Sequence, residues 1–100
     1  MKKVALVTGA ARGIGLATTN KFLAEGWRVV LVDIDGQTQD RACQDLNDPD
    51  NTLSIHCDVS DPAQVVAAVE QALVRFGRLD ALVNNAGITR DALLPRMSDE

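Results

Sequence analysis

Three glycines lie close together near the start of the chain, at Gly9, Gly13 and Gly15 in the run TGAARGIG. A glycine-rich turn between a strand and a helix lets backbone N–H groups approach an anion closely, and the positive end of the helix dipole points the same way. Diphosphate suits such a loop; the alternative is a tight turn whose glycines serve packing alone. The run predicts a diphosphate site if a strand precedes it and a helix follows it.

A carboxylate follows at the spacing expected after such a loop. Asp33 closes the apolar run VVLVD, where an acid can accept hydrogen bonds from the adenosine ribose of a dinucleotide. It also opposes a 2′-phosphate, because like charges about 5 Å apart cost roughly 3 kcal/mol at an effective dielectric near 20. Asp33 therefore favours NAD over NADP. Arg12 opposes this preference, since a guanidinium in the loop can reach a 2′-phosphate; otherwise it is a solvated or capping residue.

Apolar runs and helical patterns alternate along the chain. The runs KVALVT and RVVLVD are rich in valine and nearly unbroken, which is typical of parallel strands covered on both faces. TLSIHCDV predicts a third strand, and RLDALVNNAG predicts a fourth strand with the loop that leaves it. In the third strand, His56 is expected to be a satisfied structural histidine, because that strand is also expected to be covered on both faces.

Three helices are predicted between these strands. The first has one helical face typical of packing on a core, made of Ile14, Ala17, Thr18 and Phe22, and Gly26 offers its C-terminal cap. The second is more polar and runs from about Gln37 to Leu46.

The third helix has the clearest boundaries. Asp61 is predicted as its N-cap, with Pro62 at the first helical position. Gln64 completes a partial capping box, and Gly77 ends the helix.

The order β-α-β-α-β-α-β predicts an α/β fold, a doubly wound parallel sheet with helices on both faces, because parallel crossovers are right-handed. Ligands in such sheets collect at the carboxyl ends of the strands, beside the switch in strand order. The glycine loop and Asp33 both follow the carboxyl end of a predicted strand.

Composition narrows the class of protein. One hundred residues, 46% of them hydrophobic and 24% charged, form one domain at most. The net charge of −4 argues against nucleic acid or an anionic membrane as a partner. No run approaches the roughly 18 apolar residues of a membrane span, so a cytoplasmic location is expected. Cys43 and Cys57 form no CxxC pair and have no histidine at ligand spacing, which predicts two buried, reduced thiols and no metal site.

Two other nucleotide-binding classes use glycine turns. A P-loop needs Gly-Lys-Ser/Thr after its glycines, but this loop continues Gly15-Leu16-Ala17, so hydrolysis of a nucleoside triphosphate is not expected. S-adenosylmethionine methyltransferases also combine a glycine turn with an acid after the second strand. They remain open on fold grounds until the later motifs are counted.

Two motifs in register resemble one family. TGAARGIG matches the TGxxxGxG loop of short-chain dehydrogenases/reductases, and NNAG, from Asn84 to Gly87, matches their second hallmark. The spacing and the intervening CDVSD also fit, and the resemblance runs from Lys3 to Glu100. It implies a Rossmann-type fold and hydride transfer between a nicotinamide and a carbonyl or alcohol carbon. It leaves little room for a methyltransferase.

The resemblance also implies roles for individual residues. The glycines shape the diphosphate loop, with the Ile14 amide close to the phosphates. Asp58 and Val59 meet the adenine at the end of the third strand, although an aspartate there, read alone, is a strand-ending turn residue. The remaining residues line the cofactor near its nicotinamide-side ribose, and these are Asn85, Ala86 and Gly87. Asn84 ties neighbouring strands together.

The stretch NNAGITRDALLPRMSDE resembles 3-oxoacyl-[acyl-carrier-protein] reductases and acetoacetyl-CoA reductases. Many of these prefer NADPH and have an uncharged residue at the position of Asp33. An NAD-linked alcohol dehydrogenase or ketoreductase acting on another carbonyl or alcohol fits equally well.

The family's catalytic tyrosine, with a lysine four residues after it, has no counterpart. The chain has no tyrosine, and none of its residues is assigned a catalytic role. The helix-start signal Ser98-Asp99-Glu100 leads us to expect residues 1–100 to be the N-terminal portion of a longer enzyme, with Tyr-x-x-x-Lys downstream. The family implies a homo-tetramer or homo-dimer for that enzyme. The alternative is a non-catalytic dinucleotide-binding module.

Overall fold

Four parallel strands form the sheet in a computed structural model that describes residues 1–85. Their order across the sheet is β3-β2-β1-β4, and their bounds are β1 (Val4–Thr8), β2 (Arg28–Asp33), β3 (Thr52–His56) and β4 (Ala81–Asn84). The chain builds outward from β1 to β3 and then crosses to the other side of β1. This reversal is the predicted switch in strand order, and the doubly wound α/β fold is confirmed.

The register brings the carboxyl ends of the strands together. Thr8 at the end of β1 lies opposite Val32 on one side and Asn84 on the other. Asp33 at the end of β2 lies opposite His56. The loops that follow all four strands therefore leave the same edge of the sheet.

The three helices are α1 (Gly13–Ala24), α2 (Gly36–Leu46) and α3 (Pro62–Phe76). Asp61 is the N-cap of α3, as predicted, and its carboxylate accepts a hydrogen bond from the Ala63 N–H at 3.0 Å. The predicted capping box is wrong for Gln64, whose side chain does not accept from the Asp61 N–H. The Gln64 side-chain oxygen accepts from the Asp58 N–H at 2.8 Å, because the Asp61 N–H already donates to the Asp58 carbonyl. Gln64 thus fastens the loop after β3 to α3.

The core forms two layers, one on each face of the sheet. Strand residues such as Leu6, Val30 and Ile55 pack against the buried face of α3. On the other face, Val7 and Leu31 pack against residues of α1 and α2. Successive residues of β1 and β2 point to opposite layers, which is why both strands are apolar throughout.

The face predicted for α1 is wrong. Ile14 is 77% exposed, and the buried positions of the helix are Gly15 and Thr19. The reason is the close approach of the helix to the glycine loop, which only small residues permit. Phe22 is partly buried and packs with the core layer on that side of the sheet.

Two expectations for polar groups are also corrected. His56 is exposed, because β3 is an edge among the described strands, and its Nε2 lies 3.2 Å from Asp40 Oδ1. Both thiols are free, but only Cys57 is buried, while Cys43 is half-buried at the packed side of α2. Within residues 1–85, none of the helices combines the length and apolar character that a bilayer crossing requires.

Candidate functional site

A cleft of about 600 Å³ opens at the carboxyl ends of the strands. It is lined by residues that the sequence singles out, namely Gly9, Arg12, Ile14, Gly15, Asp33, Asp58, Val59 and Asn85. Gly13 belongs to the same loop without lining the cleft, and Ala86 and Gly87 lie outside the described residues. The topology therefore brings together residues from three separate inter-strand connections and from the loop after β4.

The glycine loop combines two backbone requirements. Gly13 has a φ of +60°, in the left-handed region that residues with a side chain rarely adopt. Gly15 is required for space, because a Cβ there would lie 1.8 Å from the Gly9 carbonyl oxygen. The loop thus brings the start of α1 directly against the end of β1.

The N-terminus of α1 differs from those of the other helices. The side chains of Asp35 and Asp61 cap α2 and α3, but α1 has Arg12 as its N-cap residue and no side-chain cap. No acidic residue lies in its first turn. The partial positive charge at this helix end is thus left without a capping acid, an arrangement that suits an external anion.

Asp33 is held by backbone groups from two loops. Its Oδ2 accepts a hydrogen bond from the Ala11 N–H at 3.1 Å, and its Oδ1 accepts from the Asp35 N–H at 3.0 Å. The carboxylate therefore joins the glycine loop to the loop after β2. Because a carboxylate has lone pairs for about four acceptor bonds, Asp33 keeps acceptor capacity toward the cleft.

Arg12 reaches from the glycine loop to the start of α2. Its Nη2 contacts Asp35 Oδ2 in an ion pair and lies 3.4 Å from Thr38 Oγ1. Hydrogen bonds from the Thr38 hydroxyl and backbone N–H, and then the charge of Arg12, hold the pKa of the Asp35 carboxyl below its usual range. Arg12 and Asp35 therefore face each other as charged groups at neutral pH.

Asp58 lies at the third side of the cleft and closes a local turn. Its Oδ1 accepts from the Ser60 hydroxyl at 2.6 Å and from the Ser60 N–H at 2.9 Å, and these two bonds lower the pKa of Asp58. Beside it, burial raises the pKa of the Cys57 thiol, with the Asp58 charge as a smaller cause, so this thiol is neutral at pH 7.

At Asn85, directly after β4, the backbone N–H is hydrogen-bonded, and the side-chain amide has no partner among residues 1–85. The Thr8 hydroxyl donates to Asn84 Oδ1 at 2.8 Å and accepts from the Asn85 N–H at 2.9 Å. The Asn85 side chain lines the cleft, and its buried Nδ2 has no hydrogen-bond partner among residues 1–85. A buried amide donor without a partner costs free energy, so it fits a ligand that brings an acceptor.

Sequence reasoning missed four lining residues, Val32, Ile34, Asp35 and Cys57. Ile34 is the informative one, since a large apolar side chain that lines the cleft and is 71% exposed suits a flat apolar ligand group. The run VDID held the signal for Ile34 and Asp35, because residues directly after a strand end lie at the ligand edge of the sheet.

The geometry can be compared with that of known proteins. A model of the family described as short chain dehydrogenase matches residues 3–100. The chain belongs to the short-chain dehydrogenase family. The resemblance in TGAARGIG and NNAG is thereby confirmed, and the methyltransferase alternative is not supported.

Curated relatives in this short-chain dehydrogenase family share close to half of the aligned residues. A 3-oxoacyl-[acyl-carrier-protein] reductase of Thermotoga maritima is 46% identical over 99 residues, which cover 98% of this chain and 40% of the relative. An uncharacterized oxidoreductase of Mycobacterium bovis is 44% identical over 98 residues, again covering 98% of this chain and 40% of the relative. The chain therefore spans about 40% of the length of these relatives.

Solved structures of short-chain dehydrogenases have the same fold. A 3-ketoacyl-(acyl-carrier-protein) reductase of Brucella melitensis, complexed with NADH, superposes with a TM-score of 0.80 at 45% identity, covering 86% of this chain and 34% of that one. A short-chain dehydrogenase/reductase of Burkholderia phymatum in complex with NAD gives a TM-score of 0.77 at 35% identity, covering 81% of this chain and 29% of that one.

Proposed function

We propose that this chain is the dinucleotide-binding portion of an NAD-dependent oxidoreductase that moves hydride between the nicotinamide and a carbonyl or alcohol carbon. One observation carries the proposal: Asp33 Oδ2 accepts a hydrogen bond from Ala11 N in the glycine loop at 3.1 Å. This bond holds the loop proposed for the diphosphate and the carboxylate proposed for the ribose side by side in one cleft. Both relatives named with a cofactor, at 45% and 35% identity, were solved with NADH or NAD.

In this proposal, different residues of the cleft bind different parts of the dinucleotide. The uncapped start of α1, shaped by Gly9, Gly13 and Gly15, receives the diphosphate with the Ile14 amide next to it. Asp33 accepts from the adenosine ribose hydroxyls. This assignment uses the acceptor capacity that Asp33 retains beyond its two backbone bonds.

The adenine lies farther along the cleft in this proposal. Exposed Ile34 and the Val59 side of the loop after β3 offer apolar contact to its faces. Asp58 accepts from the exocyclic amino group, for which its Oδ1, bonded to Ser60, and its free Oδ2 supply acceptor sites.

At the other end, Asn85 donates to the nicotinamide-side ribose from its Nδ2, which has no hydrogen-bond partner among residues 1–85. By the family pattern, Ala86 and Gly87 continue this contact. The bound cofactor supplies the hydride chemistry, and this chain's residues bind and orient it. The family pattern assigns proton transfer to a tyrosine, a residue type that positions 1–100 do not contain.

For the substrate, we propose a 3-oxoacyl thioester as the first candidate among carbonyl and alcohol compounds. Its support is the name of the Thermotoga maritima relative at 46% identity and of the Brucella melitensis structure at 45% identity. The NADPH-preferring members of that group have an uncharged residue at the position of Asp33. Because this chain has a carboxylate there, we propose NAD as its cofactor.

The organisation of the whole protein follows from the same relatives. We propose residues 1–100 as the N-terminal portion of one Rossmann-type domain, since they span about 40% of the length of those relatives. A homo-tetramer or homo-dimer is proposed from the family resemblance alone. The acidic net charge of −4 and the two free thiols support a cytoplasmic protein with no nucleic-acid or membrane partner.

Binding and turnover test the proposal separately. The purified whole protein is titrated with NADH and NADPH by nicotinamide fluorescence, and NADH is expected to bind more tightly. NADH oxidation is then followed with a 3-oxoacyl thioester and with simple ketones. Binding without turnover on any carbonyl or alcohol would favour the non-catalytic module, and failure to bind either dinucleotide would refute the site.

A further inference from the structure

Arg12 is the one cationic side chain among the described residues that line the cleft. In the glycine loop it is the group best placed to neutralise a phosphate on the adenosine ribose. The structure pairs it with another lining residue, since its Nη2 contacts Asp35 Oδ2 and lies 3.4 Å from Thr38 Oγ1. The cation beside the ribose region is therefore already paired.

Asp35 is anchored where it meets Arg12. Its Oδ1 accepts from the Thr38 N–H at 3.1 Å as the N-cap of α2, and its Oδ2 accepts from the Thr38 hydroxyl at 2.8 Å. Its own N–H donates to Asp33 Oδ1 at 3.0 Å. These bonds fix the Asp33 and Asp35 carboxylates relative to each other, and Arg12 contacts the Asp35 carboxylate.

The charges at this corner of the cleft do not balance. Two carboxylates, Asp33 and Asp35, and one guanidinium line this part of the cleft, and the guanidinium pairs with Asp35. The negative charge that Arg12 does not pair with is that of Asp33. The Arg12 and Asp35 side chains are 68% and 39% exposed, and such pairs contribute little to stability, so the effect of the pair lies in where it holds Arg12.

We propose that Asp35 is a second specificity-determining residue, which pairs with Arg12 at the cleft wall and so shares with Asp33 the discrimination against NADP. The inference rests on the proposed dinucleotide function. Asp33 acts directly, by opposing the 2′-phosphate and accepting from the ribose. Asp35 acts through Arg12, by occupying the cation that would otherwise compensate the phosphate charge.

The test is a double-mutant cycle on binding in the whole protein. The parent, Asp35→Asn, Arg12→Gln and the double variant are each titrated with NADH and NADPH by fluorescence. Asparagine keeps the N-cap, since its side-chain oxygen can accept from Thr38 N–H. Asp35→Asn is expected to raise the affinity for NADPH relative to NADH about threefold to fivefold, the most that an exposed ion pair can withhold, and the double variant is expected to lose that gain.

Asp45→Asn is the matched control, because Asp45 is exposed on the same helix and does not line the cleft. Its NADPH-to-NADH ratio is expected to stay within about twofold of the parent, which separates local pairing from the change in net charge. Retained NADH binding shows that each variant is folded. If Asp35→Asn loses NADH binding, Asp35→Ser, which also caps a helix, replaces it.

The outcomes are distinct. If the NADPH-to-NADH affinity ratio of Asp35→Asn equals that of the parent, with NADH still bound, the inference is overturned and the proposed function stands. An equal gain with and without Arg12 would also overturn it, since Asp35 would then repel the phosphate directly. A parent protein that binds neither dinucleotide would remove the proposed function and the inference with it.

Discussion

The Gly9 carbonyl oxygen lies 1.8 Å from the position that a Cβ on Gly15 would occupy. Backbone of the glycine loop, directly after β1, and backbone of α1 are therefore in contact with no side chain between them. Thr19, one turn further along α1, donates from its hydroxyl to the Gly15 carbonyl oxygen at 3.0 Å and is fully buried. The Gly9–Gly15 contact sets the position of the helix N-terminus relative to the cleft.

Gly15→Ala is expected to push α1 away from the loop, because the clash is with backbone rather than with a flexible side chain. Overpacking of this kind costs about 1–3 kcal/mol of unfolding free energy, and we expect dinucleotide affinity to fall more than tenfold. Urea unfolding and fluorescence titration measure the two effects. Gly26→Ala is the control, since Gly26 has open space and a φ of +88°, so strain of about 1 kcal/mol should leave affinity unchanged. Normal affinity in Gly15→Ala would contradict the role of this contact.

Asp33→Ala is expected to relax the cofactor preference toward NADP. The substitution removes the charge that opposes a 2′-phosphate and the acceptor for the ribose hydroxyls, so NADH should bind more weakly and the NADPH-to-NADH affinity ratio should rise about tenfold or more. Titration of both dinucleotides gives the ratio. Asp40→Ala provides the comparison, because Asp40 is exposed on α2 and bonds His56 outside the cleft. The same selectivity in Asp33→Ala and parent would refute the assignment of Asp33.

Thr8→Val removes a hydroxyl that is 2% exposed and leaves the Asn85 N–H without its acceptor. An unsatisfied buried donor costs about 1–3 kcal/mol, and we expect weaker NADH binding as Asn85 loses its position. Thr19→Val is the matched control, because it deletes a buried hydroxyl whose bond stays within α1. We expect Thr19→Val to lower unfolding free energy by less than about 1 kcal/mol and to keep NADH affinity. Equal NADH affinity in both variants would show that Asn85 does not depend on Thr8.

Asp80 makes the attachment of β4 dependent on pH. Hydrogen bonds from Arg78, at 2.7 and 2.8 Å, and from the Val4 N–H, at 2.8 Å, hold the pKa of Asp80 below its usual range. Because the folded pKa is lowered, the stabilisation is complete above the unfolded value near 3.9 and is lost as pH falls through the folded value. Asp80→Asn should therefore lower the unfolding free energy by about 1 kcal/mol at pH 7 and by less at pH 3.

Urea unfolding of parent and Asp80→Asn at the two pH values checks this. Asp45→Asn corrects for the loss of one negative charge. A difference between parent and Asp80→Asn that does not change with pH would mean that the Asp80 charge contributes nothing to holding β4.

Local pattern was sufficient for much of this protein. Unbroken valine runs predicted β1 and β2, because strands buried on both faces need apolar residues at every position. Gly77 and Asp61 marked the ends of α3, since caps depend on residues next to them in sequence. The same local logic placed the glycine loop and Asp33 at strand ends, and so predicted that they would meet.

Contacts between distant segments decided the rest. Arg12 and Asp35 are 23 residues apart, and no periodicity indicates that their side chains pair. The buried face of α1 depends on the approach of Gly15 to Gly9, which overrides the apolar pattern around Ile14. His56 is exposed because its strand lies at the edge of the described sheet. Sequence by itself determined which elements form and which residues follow the strand ends that line the cleft, because those depend on neighbouring residues. Tertiary structure alone decided which charges pair and which faces are covered, because those depend on how the elements pack.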